Sequence, residues 1–86
     1  MARICMTHDE LISKAREHMK PFDQKNSYGV SLQDFTDAQV AETARIFLRA
    51  PQREDFLEVE VDRDTGEFIW AIYHPGGSEP GKWLFG

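Results

Sequence analysis

One cysteine, Cys5, stands in a chain of 86 residues, so no internal disulfide and no multi-cysteine zinc site can form. A reducing cytosol is the natural home for such a chain, and a cytoplasmic location is the expectation. Long apolar runs are missing as well; the longest are a few residues, far short of a membrane span. Arg3 followed by a capped helix is not the pattern of a signal peptide, and neither end carries a lipidation motif, so no membrane partner is expected. Basic clusters are also absent. Residues 1–50 carry seven acids and seven bases, whereas residues 51–86 carry eight acids against Arg53, Arg63 and Lys82. The net charge of −5 therefore lies wholly in residues 51–86. Binding to a phosphate backbone draws on clustered Lys and Arg, so nucleic acid is not expected as a direct partner.

What is present suits one small folded unit. Apolar residues make up 41% and charged residues 29% of the chain, too apolar for a disordered segment. Residues 1–86 are expected to form a single domain with one modest core.

Two helix starts share one local code. In "MTHDEL", Thr7 suits an N-cap, Glu10 follows three residues later, and Met6 and Leu11 form a hydrophobic staple. A helix is predicted over about 8–20, ending at Pro21, with Leu11, Ile12, Ala15 and Met19 as its apolar stripe. "FTDAQV" repeats the device with Thr36, Gln39, Phe35 and Val40. It predicts a second helix over about 37–50, stopping before Pro51 and burying Val40, Ala41, Ala44, Phe47 and Leu48. The connection "PFDQKNSYGVSLQD" is too long for a helix-turn-helix. Within it, either "YGVSL" adds a short strand or Ser31 caps a single turn.

From Phe56 the period changes to two. "FLEVEVDRDTGEFIWAIYH" reads as a hairpin turning at Arg63-Asp64-Thr65-Gly66, with Gly66 supplying a positive φ. Counting outward, Asp62 faces Glu67, Val61 meets Phe68, Val59 meets Trp70 and Leu57 meets Ile72, an apolar face for the helices. The other face pairs Glu60 with Ile69, Glu58 with Ala71 and Phe56 with Tyr73. Two strands alone are marginal, so a third is expected from "ARICM", "YGVSL" or "KWLF". The expected fold class is α+β: two helices on one face of a small antiparallel sheet, in the order α-α-β-β with room for one extra short strand.

Several stretches imitate chemistry. "GGSEPGK" spells G-x-x-x-x-G-K from Gly76 to Lys82. A phosphate loop needs a hydroxyl after the lysine and a helix that starts at once, but Trp83 holds that position and four residues remain. Pro80 also removes a cradling amide, so the stretch reads as a glycine-rich turn. "DRDTGE" offers Asp62, Asp64 and Gly66 without the later acid of a calcium loop. His8 and His18 do not share a helix face as a zinc pair would. His74 falls opposite Asp55 in the counted register, a pair able to orient a general base, yet no nucleophile motif accompanies it. Cys5 reads as a small apolar residue rather than a nucleophile. No catalytic, cofactor-binding or metal-binding set emerges, and no enzyme is expected.

The acidic run remains. Glu58, Glu60, Asp62 and Asp64, with Phe56, Ile69 and Tyr73 beside them, form the candidate partner-binding set. It reads either as a solvated face whose charges deter edge-to-edge pairing or as a surface for a protein with a basic surface. On the second reading the chain is a small acidic non-enzymatic binding module, of the inhibitor or immunity type, that blocks a basic site on nucleic-acid-handling machinery. Two alternatives stand beside it. One is an accessory subunit that binds through the apolar "KWLF" tail or the 21–34 loop; the other is a small enzyme using His74. The same face could equally be buried in a homodimer.

Overall fold

In the computed structural model, which describes residues 6–25, 29–41, 44–77 and 79–85, helices pack against one face of a five-stranded antiparallel sheet. The α+β class and the one-sided arrangement are as expected. Helix α1 spans His8–His18 and starts at the expected capping box: Glu10 N–H donates to Thr7 Oγ1 at 3.2 Å, and Thr7 N–H donates to Glu10 Oε1 at 2.9 Å. Leu11, Ala15 and Met19 are buried along its stripe. Helix α2, Lys20–Lys25, follows directly, so Pro21 stands in the first turn of a second helix rather than ending the helical course. Proline is tolerated there because a first-turn N–H has no helical partner. Phe22 of α2 is buried with its ring centroid 6.1 Å from that of Tyr73.

The helix expected over 37–50 is not formed. Strands β1 (Asp37–Val40) and β2 (Arg45–Arg49) occupy it as a hairpin. The capping pattern at Thr36 and the i, i+4 apolar spacing are local signals for a helix, but "RIFLR" also alternates, and its Ile46 and Leu48 are fully buried while Phe47 faces the other way. Sheet pairing decides between them. Strand β3 (Phe56–Val61) has two edges to satisfy, and β2 takes one, pairing Ile46 with Val59 and Leu48 with Leu57. Tertiary context overrides a weak helix preference. The hairpin turns through Ala44, buried and held at φ 60.

Strand β4 (Phe68–His74) takes the other edge of β3, and β5 (Lys82–Phe85) pairs with β4, giving the order β1-β2-β3-β4-β5. The extra strand is therefore "KWLF", and Gly76 and Gly77, both at positive φ, turn the chain back towards it. "YGVSL" is not a strand in its described part: Leu32–Asp34 form a single 3-10 turn, and the Ser31 hydroxyl donates to Asp23 rather than capping that turn. "ARICM" and Cys5 lie outside the described residues.

The 56–74 hairpin turns where counted, with Asp62 N–H donating to Glu67 C=O at 2.8 Å and Val61 opposite Phe68. Beyond that the counted register is corrected by one residue. A bulge between Glu60 and Val61 leaves Ile69 unpaired on β4, so Glu60 faces Trp70, Glu58 faces Ile72 and Phe56 faces His74. Ala71 and Tyr73 thereby join Leu57, Val59 and Val61 beneath the helices, while Trp70 and Ile72 turn outward. Each fully buried Leu, Ile or Val in this core contributes roughly 1.5–3 kcal/mol. Among the described residues, no helix is long and apolar enough to cross a membrane.

Candidate functional site

The helix-free face of the sheet is built by alternation. Its side chains come from Asp37 and Gln39 of β1, Arg45, Phe47 and Arg49 of β2, and Phe56, Glu58 and Glu60 of β3. Trp70, Ile72 and His74 of β4 and Trp83 of β5 complete it. The strands hold these groups in rows about 4.8 Å apart, close enough for cross-strand contact.

Two linked clusters result. In one, His74 Nε2 lies 2.7 Å from Glu58 Oε1, and the His74 ring stacks on Phe56 at 4.4 Å between centroids and 11° between planes. Arg49 covers Phe56, its guanidinium carbon 4.5 Å from the ring centroid. In the other, Arg45 Nε stands 3.2 Å from Glu58 Oε2 and 3.8 Å from Glu60 Oε1, ion contacts without an aligned hydrogen bond. The Arg45 guanidinium carbon lies 5.7 Å from the Trp70 ring centroid, and Trp70 meets Trp83 edge to face, also at 5.7 Å. Trp83 is 66% exposed.

Of the residues singled out in the sequence, Phe56, Glu58 and Glu60 share this face. Asp62 and Asp64 sit in the β3–β4 turn. There Asp62 Oδ1 accepts from Asp64 N–H at 2.8 Å and Thr65 N–H at 3.0 Å, which holds the Asp62 carboxyl below its usual pKa. That carboxylate serves the turn, and α1 grips the same loop, since His18 Nε2 lies 3.1 Å from Gly66 C=O. Ile69 is 44% exposed at the bulge. Tyr73 leaves the set: it is buried on the helix side, a consequence of the one-residue shift. Sequence reasoning missed Arg45, Phe47 and Arg49 because it wound them into a helix; the period of two in "RIFLR" was the available signal.

Tyr73 instead belongs to a buried polar knot. Its hydroxyl donates to Asp55 Oδ2 at 2.7 Å, and Arg53 donates to both Asp55 oxygens at 2.8 Å each. Arg53 foremost, with Tyr73, holds the Asp55 carboxyl below its ordinary pKa against the opposing effect of burial. Burial first, and then Asp55, pushes the Tyr73 hydroxyl up to about 12. Asp55 is thus committed on the opposite face from His74, and the expected His74–Asp55 pair is corrected to His74–Glu58.

A histidine oriented by a carboxylate resembles a general base, but among the described residues no nucleophile stands with it. Glu58 takes Nε2, and Gly81, just before β5, passes close to the other edge of the ring, where a methyl on it would stand 3.2 Å from Nδ1 and 3.1 Å from Cε1. Among the described residues no cluster of three His, Cys, Asp or Glu side chains is placed to hold a metal ion. A groove of about 410 Å³ lies between the start of α1 and the β1–β2 turn. Its described walls are largely apolar, with Met6, Leu11, Val40 and Ala41 beside His8 and Arg63, and they bring together no reactive pair. What the chain offers chemically is the helix-free face: planar rings and paired charges presented on a rigid sheet. No family model matches the chain, and no curated protein or solved structure gives a significant match.

Proposed function

We propose that the chain is a small, non-enzymatic protein-binding module of the cytosol that docks through the helix-free face of its sheet. One observation carries the reading: four aromatic rings and two arginines, Phe47, Phe56, Trp70, Trp83, Arg45 and Arg49, stand on one uncovered face, with Trp83 two-thirds exposed. Aromatic residues and Arg are the types enriched where proteins bind each other, and Trp, Tyr and Arg dominate binding energy there. The "KWLF" tail enters this reading through Trp83, whereas Leu84 packs against the core.

The acidic-inhibitor version of the reading asks for carboxylates free to meet a basic groove. Glu58 and Glu60 are engaged by Arg45, and Glu58 also by His74, so that version now leans on Asp64 at the exposed hairpin tip. The two versions differ in salt response, because exposed charge pairs are screened and apolar contacts are not.

The test is capture from native lysate with the tagged protein, its Trp83→Ser/Phe47→Ser variant and its Asp64→Lys variant, at low and high salt with nuclease present. A protein retained at both salts by the parent and lost with Trp83→Ser/Phe47→Ser supports docking through the aromatic face. A basic protein retained only at low salt and lost with Asp64→Lys transfers the function to the acidic tip. Retention by none of the three, with circular dichroism unchanged, overturns both versions.

A further inference from the structure

We draw no further inference here: the strongest candidate, the uncovered aromatic face of the sheet around Phe47, Trp70 and Trp83, belongs to the site already described, and nothing in the structure shows what covers it.

Discussion

The two faces of this sheet are made by alternate residues of the same strands, yet they treat polar groups in opposite ways. On the helix side Leu57, Val59, Val61, Ile46 and Leu48 are dry, and Asp55, the one buried charge among the described residues, has three donors within 2.8 Å. On the other side Arg45, Glu58, Glu60 and His74 stay half-buried among rings, and Arg45 Nε is itself buried beside Glu58 and Glu60 without an aligned hydrogen bond. A buried polar group must be satisfied within the protein or the fold loses stability. A half-buried one can trade its protein partner for solvent or for another protein. The first face can be altered only at the expense of folding, and the second is where recognition can be built.

The contrast is sharpest in a pair of truncations. Leu57→Ala empties a fully buried site and is expected to cost about 2–5 kcal/mol in urea unfolding. Ile72→Ala, across the sheet and half-buried opposite Glu58, should cost clearly less. Equal losses would mean that the helix-free face is also a core.

Next in size is Asp55→Ala, which removes the carboxylate that accepts from the buried Tyr73 hydroxyl and from Arg53, and should cost about 1–3 kcal/mol near neutral pH. Its pH dependence has a definite sign. Folding lowers the Asp55 pKa, so its contribution is complete above the unfolded value of about 3.9 and disappears as pH falls through the lower folded value. The gap between parent and variant should therefore close in acid. Tyr73 works the other way. Its folded value of about 12 lies above the unfolded one, so its contribution is complete below about pH 10 and is lost as pH rises through 12. Tyr73→Phe should flatten the alkaline limb of the stability profile, and an alkaline limb identical to the parent's would separate Tyr73 from the knot.

The same two faces explain how far the sequence could be read. Helix α1 was legible to its cap because Thr7 and Glu10 are a local device, complete within four residues. The 56–74 hairpin was legible at its turn for a similar reason, since Asp62 and Gly66 fix it locally. Two things were not. The 37–49 hairpin depends on β3 needing a neighbour, a demand that does not appear in residues 36–50 themselves. The bulge at Ile69 is a tertiary compromise: it seats Ala71 and Tyr73, which meets Asp55, under the helices, and sends Trp70 and Ile72 out. One residue of slip on one strand exchanges its faces. Of the residues singled out, Phe56, Glu58 and Glu60 of β3 consequently lie on the helix-free face, whereas Tyr73 of β4 lies beneath the helices.

Gly81→Ala probes the join between β4 and β5. Its added methyl would lie 2.7 Å from Ile72 Cγ2 and against the His74 ring, so these side chains or the start of β5 must shift, at a cost of about 1 kcal/mol or more. The shift should also change Trp83 emission, because Trp83 pairs with Ile72 and rests edge-on against Trp70. Unchanged stability and emission would mean that Gly81 does not approach Ile72 and His74 as closely as described. Glu58→Gln follows with a smaller effect. It weakens the contacts of the largely buried Glu58 carboxylate to His74 and Arg45, for about 0.2–1 kcal/mol that high salt should reduce only in part.

The smallest expected effect on folding is also the most informative. Trp83 is 66% exposed and contributes mainly an edge contact to Trp70, so Trp83→Ser should leave the free energy of urea unfolding within about 0.5 kcal/mol of the parent. If the helix-free face binds a protein, the same change should weaken binding at least tenfold, because an exposed indole buried on docking can supply 2 kcal/mol or more. A large loss of stability would place Trp83 with the core and make the two faces alike. A neutral result in both measurements would leave the aromatic face as the sheet's own covering of its strands. Lost binding with intact folding is the one combination that separates a surface kept for recognition from a surface kept for stability.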